Sequence, residues 1–269
     1  MQLVELQAVW PTLEAAGVAL YAISYDAVAT LAAFAEKRGI TYPLLSDEGS
    51  RVIRALGLLN EHLADQHAVY GITTREEQHG VAYPGTFVLD DEGVIVAKHF
   101  EQSYRVRPTA ALFREFALGG HADPPPDAPQ VAGPGVEARA WTDAPTYRPY
   151  QQVRLHIRLD IPTGSHLFGA PAPEGYSPLR LEVDTLEGMT AEPPVVPAPH
   201  PFRVEGLDDE FVVHEGRVEA TIPLLFTSNL RQTTVRVRAI YQACSPTTCL
   251  PPAEVQLAVP LEGLDLIRD

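Results

Sequence analysis

The residues in this sequence best suited to chemistry are Cys244 and Cys249, the only two cysteines among 269 residues. Just before them, apolar side chains alternate with arginines over residues 235–241, which predicts a strand with one buried face. Residues 245–248 are typical of a turn, and the alternation resumes over residues 255–259. We therefore predict a β-hairpin with one cysteine at each shoulder of its loop.

Such a loop can bring two Cα atoms within the roughly 4.4–6.8 Å that a disulfide needs. A closed loop of about six residues stabilises a fold by only about 2 kcal/mol, against about 4.7 kcal/mol for a loop of about a hundred residues. Exposed or strained disulfides are also the easily reduced ones. The short loop therefore favours a redox couple, with a structural bridge, a metal site and unpaired thiols as alternatives. Metal is the weakest of these, because no second cysteine pair or close histidine completes a four-ligand set. We predict no cofactor.

The segment Tyr241-Gln242-x-Cys244-(x4)-Cys249-x-Pro251-Pro252 resembles the N-terminal domain of the thiol:disulfide interchange protein DsbD. The resemblance covers roughly residues 140–262. It implies an immunoglobulin-like sandwich that carries redox cysteines on a hairpin and passes electrons to extracytoplasmic partners. It also implies that Cys249 attacks the partner and that Cys244 resolves the mixed disulfide.

Two further segments resemble the same domain. In that family an acidic pair lies near the cysteines and an aromatic residue belongs to a cap loop, which implies these roles for Asp209, Glu210 and Phe211. Nearby carboxylates disfavour a thiolate, and an aromatic lid hides the sulfurs from wrong partners. The alternative is a solvated acidic turn with one apolar anchor. The segment 166–169 also resembles the domain, and we predict that its histidine, His166, is a structural or turn residue, with a role in the site as the alternative.

Length and composition restrict the remaining possibilities. A chain of 269 residues suggests two domains, and 45% apolar residues are ample for two cores. The formal charge of −15 disfavours nucleic acid and anionic membranes as partners. No apolar run approaches the ~18 residues of a transmembrane span, so we expect no membrane insertion. The first residues lack the features of a signal peptide, so the compartment stays open, although the DsbD resemblance suggests the periplasm.

Residues 1–118 alternate helical and strand patterns. We predict helices over residues 3–13, 27–37, 50–58 and 108–118, a buried parallel strand over 18–24, an extended segment over 42–47, and a hairpin over 83–100. The segments 3–7, 23–26, 42–47 and 84–90 resemble redoxins of the AhpC/TSA family, which implies a thioredoxin fold. Pro84 falls where that fold places a cis-proline, so we predict a cis Tyr83–Pro84 bond.

One departure from the redoxins concerns their catalytic cysteine. In these proteins a strand and a cysteine motif precede the first helix, whereas this chain begins inside that helix. We therefore hypothesise that Met1 is an internal methionine and that the natural product is longer. The missing strand would lie between residues 18–24 and 86–89, so we expect a gap and unpaired backbone groups there. Without its cysteine this half cannot perform thiol peroxidase chemistry.

A polar segment before Tyr83 contains residues of metal-ligand type: Glu61, His62, Asp65, His67 and His79. A solvated loop is the favoured interpretation, because no ligand spacing repeats. We predict no metal site.

Residues 119–135 are rich in proline and glycine, which predicts a semi-extended linker. Such a tether would hold two redox sites at a local concentration of roughly millimolar.

The sequence thus predicts a thiol:disulfide oxidoreductase with antioxidant-type activity, built from two domains. An α/β thioredoxin-like domain, incomplete at its N-terminus, spans residues 1–118, and an all-β immunoglobulin-like sandwich spans 136–269. Electrons would pass through Cys244 and Cys249 to thioredoxin-fold redox proteins or from a transmembrane electron donor. The alternative is a non-catalytic adaptor with a structural disulfide and a degenerate redoxin domain.

Overall fold

The computed structural model describes residues 2–69, 71–78, 80–101, 103, 105–120, 123–203, 210–245 and 247–267. Backbone contacts divide the chain into two compact units, one up to residue 121 and the other over residues 122–268. The first unit is an α/β region, and the regular elements described in the second unit are β-strands joined by turns and loops. None of the described helices is long and apolar enough to span a bilayer.

Helices and short strands alternate in the first unit. Its elements are α1 (Gln2–Ala15), β1 (Ala22–Ser24), α2 (Val28–Arg38), β2 (Leu44–Ser46), α3 (Arg51–Ala55), α4 (Leu63–Val69), a 3-10 turn (Glu76–Gln78), β3 (Gly85–Leu89), β4 (Ile95–Phe100), β5 (Arg107–Pro108) and α5 (Ala110–Leu118). Buried side chains of α1 and α5, among them Leu6, Leu13 and Phe113, share one apolar cluster.

Local hydrogen bonds set the starts of two of these helices. The Asp47 carboxylate accepts from the backbone N–H groups of Ile53 at 2.9 Å and Val52 at 3.1 Å, which starts α3. These donors, Ile53 first, hold the pKa of Asp47 below its ordinary value. The Thr109 hydroxyl accepts from the Leu112 N–H at 3.1 Å and caps α5.

Four of the five strands of the first unit form two separate pairs. β1 and β2 are parallel, with Ile23 opposite Leu45, which confirms the predicted parallel pairing. The strand is shorter than residues 18–24, and it is not buried as predicted, since Ile23 is 41% exposed. β3 and β4 form the predicted antiparallel hairpin. Within the described residues β1 and β3 lie in different sheets.

Two predictions for the first unit were wrong. The segment expected to be a polar loop before Tyr83 contains α4, whose Leu63 and His67 are buried. The Tyr83–Pro84 bond is trans, since the cis bond found among the described residues is Ala170–Pro171. Trans is favoured by about 0.5–1 kcal/mol in X-Pro bonds. Here the flanking backbone groups are satisfied in that form: the Tyr83 N–H donates to the Leu58 carbonyl at 2.7 Å, and the Pro84 carbonyl accepts from Glu101 at 3.0 Å.

Strands make up the second unit. They are β6 (Gln130–Gly133), β7 (Val136–Thr142), β8 (Thr146–Tyr147), β9 (Gln151–Asp160), β10 (His166–Phe168), β11 (Arg180–Val183), β12 (Met189–Ala191), β13 (His200–Arg203), β14 (Glu210–Glu215), β15 (Arg217–Phe226), β16 (Gln232–Tyr241), β17 (Ala243–Cys244) and β18 (Ala253–Gly263).

These strands form three sheets. One runs in the order β12-β15-β9-β7-β6, a second in the order β11-β16-β18-β8, and a third in the order β13-β14-β10-β17. Alternate side chains of the first two sheets, such as Leu155 and Ile222 from one and Val237 and Leu257 from the other, belong to a single buried cluster. This period-2 burial is the pattern expected when each sheet turns one face to a common core. The third sheet carries Cys244.

The predicted linker was only partly correct. Residues 130–133, inside the predicted tether of residues 119–135, form β6 and pair with β7. Pro134 and Gly135 lie in the turn between the two strands, and Gly135 has a φ of +71°. Proline at a turn does not interrupt a ladder, so the composition of the segment concealed a strand.

Candidate functional site

The two cysteines are joined in a disulfide at the end of a long hairpin. β16 and β18 pair from Gln232 opposite Glu262 to Tyr241 opposite Ala253, which confirms the predicted hairpin with a cysteine at each shoulder. The Cα atoms of Cys244 and Cys249 lie 4.0 Å apart, just below the usual range. The residues also form a single antiparallel bridge to each other.

Side-chain and backbone hydrogen bonds fix the loop that carries the disulfide. The Ser245 N–H donates to the Thr248 carbonyl at 2.8 Å, and the Thr248 N–H donates to the Ser245 hydroxyl at 3.1 Å. The Gln242 side chain donates to the Leu250 carbonyl at 2.9 Å and accepts from the Ser177 N–H at 3.1 Å. Gln242 thereby ties both sides of the loop and a neighbouring segment together.

The two sulfur-bearing residues differ in exposure. Cys244 is 2% exposed and lies in β17, whereas Cys249 lies at the exposed end of the loop. A thiolate that attacks a disulfide must approach one sulfur from solvent. Cys249 is therefore the more accessible of the two cysteines.

Cys244 lies in a row of paired residues on the third sheet. His166 in β10 is opposite Cys244 on one side and opposite Glu215 of β14 on the other. Directly opposed residues point to the same face of a sheet. We call this face the disulfide face; by register it carries His166, Phe168, His200, Phe202, Phe211, Val213, Glu215 and Cys244.

The predicted cap residue Phe211 lies on the disulfide face. Cys244, Phe168 and Val213 form a buried cluster, against which Phe211 and Phe202 pack while partly exposed. The ring centroids of Phe168 and Phe211 are 6.2 Å apart in an edge-on arrangement. The resemblance alone predicted that Phe211 lies near the cysteines. The register of the third sheet places Phe211 on the same face as Cys244.

The predicted acidic pair is only partly described. Asp209 lies outside the described residues. Glu210 is exposed and bonds to the Arg203 guanidinium through contacts of 2.6 and 2.8 Å. Strand alternation directs Glu210 to the opposite side of β14 from Phe211. Both residues line an open pocket of about 370 Å³ with residues 171–173. A role for the pair in tuning the cysteines stays a prediction.

Histidines surround this region, and sequence reasoning assigned them no chemical role. His166 is 5% exposed, and its ring centroid lies 4.5 Å from that of Phe202 and 5.6 Å from that of Phe168. Burial lowers the pKa of His166, with Glu215 opposing the shift. His200 bonds to Glu215 at 2.9 Å. The only sequence signal was the short apolar run after His166, which does not reveal a partner strand.

The residues considered for a metal site do not come together among those described. His67 is buried in α4, with its Nδ1 2.9 Å from the Thr74 hydroxyl. His62 and Asp65 form an exposed contact of 3.7 Å. His79 lies outside the described residues. No group of three potential ligands is found in the part of the chain that the structure describes.

Comparisons with protein families match the two units separately. Residues 1–98 match the AhpC/TSA family, and residues 138–260 match the family of the thiol:disulfide interchange protein DsbD, N-terminal. Both resemblances predicted from the sequence are therefore confirmed. The chain contains an AhpC/TSA redoxin domain followed by a domain like the N-terminal domain of DsbD.

One curated relative and two solved structures are similar to parts of the chain. A Coxiella burnetii (strain RSA 493 / Nine Mile phase I) protein, named provisionally as peroxiredoxin bcp, is 32% identical over 93 residues, which are 33% of this chain and 52% of that protein. The chain thus spans about half the length of the curated relative it matches.

The structures are N-terminal domains. The N-terminal periplasmic domain of ScsB from Proteus mirabilis is 15% identical, with a TM-score of 0.35 over 48% of this chain and 49% of that one. The reduced N-terminal domain of DsbD from Neisseria meningitidis is 12% identical, with a TM-score of 0.30 over 52% of this chain and 90% of that one.

Proposed function

We propose that this chain, which joins an AhpC/TSA redoxin domain to a DsbD N-terminal-like domain, is a thiol:disulfide oxidoreductase that relays electrons through Cys244 and Cys249. The observation that carries the proposal is the unequal exposure of the two cysteines within one disulfide. An exposed cysteine with a buried partner suits a redox couple in which one cysteine reacts with other proteins and the other re-forms the disulfide.

The chemistry is dithiol–disulfide exchange. In the reduced form the Cys249 thiolate attacks a sulfur of the partner's disulfide, so that a mixed disulfide forms and one partner thiolate leaves. Cys244 then attacks the Cys249 sulfur, the bond to the partner breaks, and the second partner thiolate leaves. The partner gains two electrons, and the Cys244–Cys249 bond is restored. The reverse sequence reduces this disulfide at the expense of a donor dithiol.

The DsbD-like domain supports thioredoxin-fold redox proteins as the partners. We also propose that a transmembrane protein donates electrons to this disulfide and that the exchange takes place outside the cytoplasm. We further propose that the second unit is an immunoglobulin-like sandwich and that the first is thioredoxin-like. Residues 1–98 contain no cysteine, so in this chain the exchange rests on Cys244 and Cys249. An antioxidant activity would be that of the partners it supplies with electrons.

Phe211 has the position of a shield in this proposal. Its ring packs against the cluster that contains Cys244, beside an open pocket formed with residues 171–173. A side chain there restricts small thiols, while a protein partner that displaces it reaches the sulfurs.

The experiment that tests the proposal is a redox titration of the purified chain against glutathione buffers. A reduction potential between about −180 and −270 mV, as in glutathione-coupled oxidoreductases, is expected. A potential well below about −300 mV would instead identify a passive bridge, as in the adaptor interpretation. A protein with Cys244→Ser and Cys249→Ser provides the baseline.

A further inference from the structure

His166 occupies the central position of a three-residue row on the third sheet. Register places it opposite Cys244 in β17 and opposite Glu215 in β14. The Cβ atoms of opposed residues in antiparallel pairs are about 4.5–5.5 Å apart, within reach of an imidazole ring. A carboxylate, an imidazole and a redox-active sulfur are thus neighbours on one face.

The surroundings of His166 are apolar except along this row. Its ring contacts the Phe202 and Phe168 rings, and only 5% of the residue is exposed. Among the described residues, the titratable groups that face it are Cys244 from β17 and Glu215 from β14, with His200 of β13 bonded to that carboxylate at 2.9 Å. His214 is opposite Leu167 and so belongs to the other face of the sheet.

We infer that His166 is the base that accepts the proton of the Cys244 thiol when Cys244 resolves the mixed disulfide, and that Glu215 stabilises the resulting imidazolium. The inference rests on the proposed function, because it assigns a proton acceptor to the second step of that exchange. It gives His166 a defined role in the site, where the sequence had favoured a structural one.

In this step Cys244 loses its proton and displaces the partner from Cys249. Cys249 begins in a mixed disulfide with the partner, and Cys244 begins as a thiol. The Cys244 proton moves to the imidazole, the thiolate attacks the Cys249 sulfur, and the electron pair of the broken bond leaves with the partner thiolate. The imidazolium then returns its proton to solvent or to the departing thiolate.

Burial lowers the pKa of His166 and is the larger influence, while Glu215 acts in the opposite direction. A lowered pKa keeps the His166 ring neutral at neutral pH while the disulfide is closed. The imidazole can therefore accept a proton when Cys244 becomes a thiol. A thiolate beside the ring favours the charged imidazolium, and an imidazolium favours the thiolate.

The test measures the pKa of Cys244 in a Cys249→Ser chain, from the ultraviolet absorbance of the thiolate across pH. With His166 present, we expect a value below the ordinary ~8.5 of cysteine. His166→Phe, which keeps an aromatic ring in the cluster, should raise it, leaving at least about tenfold less thiolate at neutral pH. An unchanged thiol pKa in a folded His166→Phe chain overturns the inference.

A control and a second measurement complete the design. His214→Phe replaces an equally buried histidine on the other face and should leave the Cys244 pKa unchanged; an equal shift in both variants would also overturn the inference. If His166→Phe does not fold, the His166 imidazole titration is followed by nuclear magnetic resonance in unsubstituted chain and Cys249→Ser. The pKa of His166 should be higher in Cys249→Ser, where a Cys244 thiolate can form beside the ring, than in the unsubstituted chain, where the disulfide is closed. Identical His166 titrations in the two proteins contradict the role. The redox titration with glutathione is independent of these values, so failure of exchange itself is distinguished from failure of this inference.

Discussion

Cys244 and Cys249 share one disulfide, yet Cys244 is 2% exposed whereas Cys249 is open to solvent. Cys244 is held in β17 at the edge of the third sheet, and Cys249 lies across the turn formed by Ser245 and Thr248. The difference in exposure arises because the two shoulders of the loop meet different surroundings, a sheet on one side and water on the other. It leads to the first prediction.

Substitution of the cysteines should give unequal trapping. A Cys244→Ser chain keeps the exposed Cys249, so it should accumulate a stable mixed disulfide with a thioredoxin-fold partner, detectable by non-reducing electrophoresis. A Cys249→Ser chain keeps only the buried sulfur and should form at least about tenfold less adduct. Equal trapping by both variants would refute the assignment of Cys249 as the attacking residue.

Truncation of Phe211 should expose the disulfide. Its ring packs on the cluster around Cys244, so Phe211→Ala should make reduction by a small thiol such as dithiothreitol several-fold faster. Leu186→Ala, a partly buried residue packed against the other core cluster, serves as the matched control and should leave this rate unchanged. A Phe211→Ala rate equal to that of the unsubstituted chain would show that the ring does not shield the sulfurs.

Acidification should destabilise the second unit through its buried histidines. Burial lowers the pKa of His166 and of His214, so the unfolded chain binds protons at a higher pH than the folded chain does. The stability that the neutral rings provide is complete above the unfolded value of about 6.5 and is lost as pH falls through the lowered folded values. The melting temperature should therefore drop between about pH 7.5 and 5.5. His166→Phe together with His214→Phe should reduce that drop, and an undiminished drop would assign it to other groups.

Removal of the α5 cap should loosen that helix. The Thr109 hydroxyl accepts from the Leu112 N–H, so Thr109→Ala should cost about 1 kcal/mol. Amide hydrogen exchange in α5 should become about fivefold faster in the full chain. Thr109→Ser retains the acceptor and should exchange at close to the original rate.

The turn before β7 should not tolerate a side chain. Gly135 has a φ of +71°, and a Cβ there would lie 2.7 Å from the Ala243 Cβ, next to Cys244. Gly164 has a φ of +80° but nothing within 4 Å of such an atom, so it isolates the backbone effect. Gly164→Ala should cost about 1 kcal/mol and Gly135→Ala at least about 1 kcal/mol more, measured by thermal unfolding. Equal losses would mean that Ala243 can move aside.

Local patterns predicted the strands beside the cysteines. Alternation of apolar residues predicted β16 and β18, because a strand with one buried face leaves a period-2 pattern in its own residues. The same pattern with a turn between placed the cysteines at a hairpin. Short strands such as β13 and β10 were not predicted, since three or four residues carry too little periodicity to stand out.

Spacing, periodicity and short motifs are properties of consecutive residues, so they predicted that a pair of cysteines lies on a β-hairpin and that the two parts of the chain resemble two families. The folded chain was needed to show that His166 lies between Glu215 and Cys244, that Cys244 is buried and Cys249 exposed, and that Pro84 follows a trans bond. Those features depend on which strands pair and in what register. Pairing brings together residues that are far apart in the chain, such as His166 and Cys244, which are 78 positions apart, and no local pattern encodes it.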